Sequence, residues 1–330
     1  MTRVFTIIFL LLPFLLPSQT TYRQYDTQRY YYEHLPKTGS GSGILGEPGR
    51  AFAQRMVEEK IRARSKREDV VKKRNIGILF HVISDENYGQ MRSKIAQQLT
   101  VLNKAFNEKP NTAKNRYDPT GRFLKTADHP RLRFYATEIE GFEKGIRQVS
   151  PGKATWRDFD EMKDEAKGGL GSKKADLYVN VWITALPDDM HSYATSAYIR
   201  DDFSGIVLDE SLLPDRGKRG DFSEGKSLVH LMGNYFGLYD LWNDYEKCAD
   251  DYVSDTPIHN MANRGHPQYK HVTTCVRDRL VPEMVVNYMD NTADDMQLMF
   301  TAGQIRRMHA VIEATLPALS NDAKTMGDAQ

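Results

Sequence analysis

One short stretch of the chain has the spacing of a zinc-binding helix but few of the side chains that bind zinc. In such a helix, two His residues four positions apart face one ion, a Glu beside the first His takes a proton from zinc-bound water, and a third ligand follows a glycine turn. Residues 230–240 read HLMGNYFGLYD. His230 keeps the first ligand position, whereas Leu231, Asn234 and Asp240 replace the Glu, the second His and the third ligand.

These replacements remove most of the chemistry. Leu231 has no proton to exchange, Asn234 offers only a neutral amide oxygen, and Asp240 has a carboxylate that can bind zinc. Two credible ligands stand where a catalytic zinc site has three, so we expect no zinc and no catalytic residue at position 231. Taken alone, a His on a helix is more often an ordinary packed or solvated residue than a metal ligand.

The sequence downstream gives this stretch a context. Four motifs follow in order: GLYD at 237–240, VSDTP at 253–257, NYMD at 287–290 and FTAGQ at 300–304. Cys248 precedes the second motif and Cys275 follows it. In this order and spacing, residues 75–318 resemble the pappalysin (cytophagalysin) family of metzincin metallopeptidases.

The resemblance implies a fold and a set of positions. The fold is α+β: a mixed twisted sheet with a backing helix and an active-site helix, then an irregular lower half with a Met-turn and a C-terminal helix. It places His230, Asn234 and Asp240 at the zinc-ligand positions, Leu231 at the general-base position and Met289 in the Met-turn beneath the metal. The residues that differ from the family pattern are those at the zinc-ligand and general-base positions, whereas the motifs that shape the fold are kept. This distribution favours a pseudopeptidase.

Three further expectations come with the resemblance. Two cysteines in an exported protein usually pair, and Cys248 and Cys275 occupy the family's disulfide positions; two free thiols or a metal-binding pair are the alternatives. A dense cluster of oxygen-bearing side chains is formed by Asp250, Asp251, Asp255 and Thr256. We expect either a calcium site or a solvated acidic turn there. The edge of the substrate cleft is expected at Ser192, Tyr193, Ala194 and Thr195.

Composition and the chain ends bound the compartment and the partners. The 330 residues carry a formal net charge of +1 and show no basic stripe, which argues against nucleic acid as a partner. Residues 1–19 read as a cleaved signal peptide whose apolar run is too short to span a membrane, so we expect a secreted or periplasmic protein. Residues 20–74 read as a propeptide-like or loosely ordered segment, 75–318 as the pappalysin-like domain and 319–330 as a polar tail.

Apolar patterning predicts the elements that position the motifs. Residues 76–83 form an apolar run suited to a central strand, with His81 as a structural residue, and residues 91–106 have the spacing of an amphipathic helix. Residues 131–139, 176–184 and 205–208 read as further strands. Thr301 and Gln304 form a capping box at the start of the last helix.

The sequence supports one functional hypothesis and two rivals. We expect a secreted pseudopeptidase that binds an extended peptide or protein partner by strand addition in the former cleft. The first rival is an active zinc metalloendopeptidase in which His259, His266 or His271 completes a non-standard ligand set with His230 and Asp240. The second is a purely structural secreted domain.

Overall fold

The structure of the chain is a computed structural model. It describes Glu59 and residues 72–315, apart from positions 112, 114–115, 153–154, 196–201, 216, 218–219, 244–246, 269–271 and 277–279. The expected signal peptide, nearly all of the N-terminal segment and the polar tail lie outside the described residues. Within the described part, no helix is both long enough and apolar enough to cross a membrane.

The strands and helices follow in chain order. The strands are β1 (Arg74–Ile83), β2 (Ala127–Asp128), β3 (Leu132–Ala136), β4 (Ile146–Val149), β5 (Val179–Thr184), β6 (Tyr193–Ala194), β7 (Ile206–Asp209), β8 (Val272–Thr273), β9 (Val281–Pro282) and β10 (Phe300–Thr301). The helices are α1 (Tyr88–Asn107), α2 (Lys226–Tyr235) and α3 (Ala302–Thr315). Short 3-10 turns lie between them, among them Glu161–Lys163 and Asp294–Met296.

The main sheet is mixed and twisted around a central strand, as expected. Nine of the ten residues of β1 are buried, which explains its almost unbroken apolar run. β1 pairs in parallel with β3 and β4 on one side and with β5 on the other. β5 then pairs in parallel with β7, and β7 pairs antiparallel with β6 at the edge of the described sheet.

Each face of the sheet buries its own apolar cluster. On one face, α1 packs through the predicted stripe: Met91, Ile95, Leu102 and Phe106 are buried, and Leu99 is partly buried against the same cluster. The same cluster includes most of α2 and reaches the lower half of the domain. On the other face, the connection between β4 and β5 covers the sheet, with Trp156 and Met162 packed on Trp182 of β5.

The lower half is mostly irregular and is held by short ladders and side-chain bonds. β10 pairs with β2, and β8 pairs with β9. The predicted capping box opens α3: Gln304 Oε1 accepts from the Thr301 N–H at 2.9 Å, and Thr301 Oγ1 accepts from the Gln304 N–H at 3.1 Å. These two hydrogen bonds fix the start of α3, and this end of the helix supports the turn that carries Met289.

Candidate functional site

Helix α2 and the glycine turn after it bring the three expected ligand positions, His230, Asn234 and Asp240, together. Asp294 caps the helix from a distant loop by accepting a 2.8 Å hydrogen bond from the Glu224 N–H. At the other end, Gly237 has φ of 82°, and the Leu238 N–H returns to the Gly233 carbonyl at 3.0 Å. This left-handed turn ends the helix and directs the chain back, so that Asp240 reaches His230.

His230, Asn234 and Asp240 hydrogen-bond directly to one another. His230 Nε2 lies 2.8 Å from Asp240 Oδ1, and Asn234 Nδ2 donates to the same oxygen at 2.9 Å. His230 Nδ1 lies 2.9 Å from the carbonyl oxygen of Tyr288. Oxygen atoms of Asp240 and Tyr288 thus face both ring nitrogens of His230. We call these three side chains the His230 clamp.

The geometry of the His230 clamp does not fit zinc. Zinc bonds to imidazole nitrogen and carboxylate oxygen are about 2.0–2.2 Å long, so two ligand atoms of a tetrahedral site lie roughly 3.3 Å apart. The Nε2 of His230 and the Oδ1 of Asp240 are only 2.8 Å apart and form a hydrogen bond. Asn234 turns its amide nitrogen, which cannot bind a metal, toward the carboxylate. Among the residues that the structure describes, no three His, Cys, Asp or Glu side chains form a metal-binding group.

The expected general-base position, Leu231, lies in the apolar core. Leu231 is fully buried and belongs to the cluster on the helix side of the sheet. No proton can be taken up at this position, and a carboxylate placed there would need a partner.

Met289 lies directly against helix α2. Met289 is fully buried. A Cβ atom added to Gly233 would lie 2.5 Å from the Met289 sulfur, so a larger residue at position 233 would force one of the two segments to shift. The Met289 carbonyl oxygen accepts from the Leu241 N–H at 3.1 Å. Asn287 supports the turn by accepting from the Met289 N–H at 2.8 Å and by bonding to Gln304 of α3.

The expected cleft edge coincides with β6. Tyr193 and Ala194 form this short edge strand, which packs beside α2. Ser192 and Thr195 flank it, and both bond toward β7: Ser192 Oγ accepts from the Asp209 N–H, and Thr195 N–H donates to the Gly205 carbonyl. Because hydrogen bonds alternate along an antiparallel strand, the Ala194 N–H points away from β7.

Comparisons with known proteins agree with this architecture. Residues 173–313 match the family model described as pregnancy-associated plasma protein-A, a peptidase family. An extracellular metalloprotease of Arthroderma benhamiae is 28% identical over 275 residues, which cover 81% of this chain and 82% of the relative. A similar protein of Arthroderma gypseum is 25% identical over 79% of this chain and 80% of its own length.

Two solved structures have the same fold. A mutant of promirolysin from Tannerella forsythia superposes with a TM-score of 0.70 and 22% identity, covering 90% of this chain and 95% of promirolysin. Mature mirolysin in complex with a cleaved peptide gives a TM-score of 0.64 and 23% identity, covering 76% of this chain and 98% of mirolysin. The chain is therefore similar to this peptidase family over residues 173–313 and to extracellular metalloproteases over most of its length, and it has the fold of promirolysin and mirolysin.

The pappalysin resemblance also implied a disulfide, and this expectation is confirmed. Cys248 and Cys275 are bonded, with their Cα atoms 5.4 Å apart. The bridge joins the loop after α2 to the segment after β8, so it encloses the VSDTP motif. It thereby fixes the irregular region that packs against the start of α3.

The candidate calcium residues are occupied by protein donors. Asp251 accepts from the Val253 N–H and the Thr256 hydroxyl, while Asp255 accepts from the Thr301 hydroxyl and the Gly303 N–H. Asp250 accepts from the Tyr252 N–H. Desolvation raises the pKa of the buried Asp251 to about 6, against the lowering effect of its hydrogen bond from Thr256. These contacts give the acidic loop a structural role, and calcium binding there stays a prediction.

The histidines considered as substitute ligands are engaged elsewhere. His259 is fully buried, and its Nε2 accepts from the Met284 N–H at 2.9 Å. His266 is half exposed and lies 2.7 Å from Asp295 through Nε2. His271 lies outside the described residues. Neither of the two described histidines joins His230 and Asp240 in a group of three metal ligands.

The sequence did not predict three features of the site. The Trp242 indole lies 5.7 Å from the His230 ring and is almost fully buried, so it helps to close the His230 clamp from solvent. The phenol of Tyr288, whose carbonyl meets His230, has a pKa raised by burial. Lys163 lies buried behind the edge strand. Only Trp242 carried a signal, because it follows the helix motif by two residues; the other two depend on long-range packing.

Proposed function

We propose that this protein is a pappalysin-like pseudopeptidase that binds an extended peptide or a protein partner in the former substrate cleft without zinc. The observation that supports it best is the direct 2.8 Å hydrogen bond between His230 and Asp240, which occupies the space between two former ligands. The buried Leu231 at the general-base position adds to it, because an active enzyme needs a proton acceptor there.

We also propose that the protein works outside the cytoplasm. The relatives from Arthroderma species are named extracellular metalloproteases. Residues 1–19 are then a signal peptide removed on export, residues 20–74 a propeptide-like segment, residues 75–318 the binding domain and residues 319–330 a tail. The resulting location is secreted or periplasmic, an oxidising compartment that suits the disulfide.

The binding mode that the edge strand favours is strand addition. β6 is the last strand of the described sheet and lies beside α2, so a peptide that adds a strand to this sheet would pair with β6 in place of the contacts that now bury it. This mode needs no metal, because main-chain hydrogen bonds supply the affinity and side-chain pockets supply the selectivity. Mature mirolysin, whose fold this chain shares, has been solved with a cleaved peptide.

The test uses unfolded polypeptide as the probe. Fluorescein-labelled tryptic peptides of reduced casein are titrated into the purified protein in EDTA, and the best binder is identified by mass spectrometry. That peptide is then made with N-methyl groups at every second residue, in the two possible registers. Strand addition predicts that one register weakens binding by roughly fivefold for each lost hydrogen bond, while the other register has a small effect.

Three outcomes would overturn the proposal. Absence of binding to any casein peptide would refute the peptide-binding function. Equal loss in both N-methyl registers would exclude strand addition. Cleavage of the peptides that stops in EDTA and returns with zinc would establish the rival function, an active zinc endopeptidase with an unusual ligand set.

A further inference from the structure

A buried lysine lies behind the edge strand, on the face of the sheet opposite to α2. Lys163 belongs to the short turn Glu161–Lys163 in the connection between β4 and β5, and its side chain is 0% exposed. Its ammonium group lies 2.6 Å from Asp160 Oδ1 and donates to the Phe203 carbonyl oxygen at 2.7 Å. Lys163 belongs to no sequence motif, and the proposed binding function assigns it no role.

Aromatic rings complete the surroundings of this cation. The Nζ atom lies 5.1 Å from the ring centroid of Trp182 in β5 and 4.9 Å from that of Tyr193 in β6. A buried ammonium group without partners would cost several kcal/mol. The carboxylate, the carbonyl and the two ring faces together offset that cost.

The partners of Lys163 belong to the two ends of the peptide-binding edge. Tyr193 lies in β6, and its hydroxyl donates to Asp160 Oδ1 at 2.8 Å while accepting from the Asp160 N–H at 3.0 Å. Phe203 lies in the loop that leads from β6 to β7. Lys163 therefore ties both the strand and its return loop to the connection that covers the back of the sheet.

We propose that Lys163 is a positioning residue that holds β6 in place for peptide binding. Successive residues of a strand point to opposite faces. Tyr193 is anchored at the back, so Ala194, which belongs to the core cluster on the helix side, is held beside α2. A strand fixed in advance loses less freedom when a peptide pairs with it, which raises affinity. The inference rests on the proposed peptide-binding function.

The experiment compares two charge-removing substitutions in the same segment. Lys163→Met removes the buried ammonium group but keeps the length of the side chain. Lys167→Met is the matched control, since Lys167 is 50% exposed and its nearest carboxylate oxygen, on Glu161, is 3.7 Å away. With the casein peptide selected on the wild type, we expect Lys163→Met to weaken binding roughly tenfold and Lys167→Met to leave it within about twofold.

Hydrogen exchange separates positioning from general stability. In the peptide-free protein, Lys163→Met should speed exchange at residues 193–195 and 205–207 and leave residues 76–83 of β1 as protected as in the wild type. Faster exchange throughout the sheet, or unchanged exchange at 193–195, would overturn the proposal. This arm gives an answer even if the wild type binds no peptide, an outcome that would count against the proposed function alone.

Two more variants keep the test decisive if Lys163→Met folds poorly. Tyr193→Phe removes only the hydroxyl that bonds to Asp160, and we expect about a threefold loss of affinity. The double variant Lys163→Met with Asp160→Asn removes the carboxylate left without its cation. It should regain thermal stability but not affinity. Recovery of both would show that Lys163 acts only on stability.

Discussion

Removing the Asp240 carboxylate should expose how much the domain depends on the His230 clamp. The side chains of His230 and Asp240 are 0% and 2% exposed, so water cannot replace a lost partner. Asp240→Ala leaves both His230 Nε2 and Asn234 Nδ2 without the oxygen that they share. Breaking a buried pair by deleting one member costs about 3–5 kcal/mol, because the other member loses that partner while it stays buried.

This loss is large enough to measure by thermal or urea unfolding. For a domain of 150–250 residues, 1 kcal/mol shifts the Tm by roughly 2–4 °C, so Asp240→Ala should lower it by about 6–20 °C. Asp240→Asn keeps an oxygen acceptor at the same place and should cost only about 1 kcal/mol. Asp250→Ala, which removes one exposed contact to the Tyr252 N–H, is the matched surface control.

The assay is run in EDTA and again with added zinc. The His230 clamp predicts the same order of stability in both: wild type, Asp250→Ala, Asp240→Asn and, well below them, Asp240→Ala. An Asp240→Ala variant as stable as Asp250→Ala would refute the reasoning, since the hydrogen bonds would then contribute nothing. A wild type that gains several degrees from zinc would refute it as well.

Three further outcomes are expected. Replacing Cys248 and Cys275 by Ser should cost roughly 3–4 kcal/mol in urea unfolding, because the bridge closes a loop across 27 positions of sequence separation; a loss below 1 kcal/mol would contradict this. Burial lowers the pKa of His81 to about 4, so the unfolded chain takes up a proton near pH 6.5 that the folded chain refuses, and stability falls as pH drops from 6.5 to 4. His81→Phe should therefore remove up to about 3 kcal/mol of that pH dependence of the free energy of unfolding. The effect is measured as the difference between the variant and the wild type from pH 6.5 to pH 4, because the opposite contribution of Asp251 is common to both proteins and cancels. Parallel stability curves for the two proteins would contradict the prediction. The triple substitution Leu231→Glu, Asn234→His and Asp240→His should bind zinc, detected by isothermal titration, because α2 and the Gly237 turn retain the geometry of the motif; a folded triple variant without zinc would show that the cleft has been remodelled.

Local patterning predicted the elements whose residues interact with near neighbours. The apolar run of β1, the helical stripe of α1 and the capping box of Thr301 and Gln304 each depend on contacts set by period or by short spacing. Strand β4 was missed, because Ile146–Val149 is short and carries two polar residues between its apolar ends. The predicted strand at 131–139 ends earlier, at Ala136, since the chain there turns toward β4.

The sequence placed four residues at candidate site positions but did not predict their contacts. Motif order located His230, Asn234, Asp240 and Met289, and the structure brings them together around α2. The direct bond from His230 to Asp240 depends on how far the Gly237 turn folds back, which spacing does not specify. Burial of Lys163 depends on contacts with Trp182, Tyr193 and Phe203, which come later in the chain, and a lysine in a polar stretch gives no sign of these contacts.

We propose that hydrogen bonds have taken the place of zinc, and the metal content of the purified protein distinguishes this proposal from a zinc enzyme. The full chain is produced by secretion, purified without chelator in buffer containing a slight excess of zinc, desalted and analysed by inductively coupled plasma mass spectrometry beside its His230→Ala variant. We expect far less than one zinc per chain, with no difference between the wild type and His230→Ala. One zinc per chain that disappears in His230→Ala would contradict it.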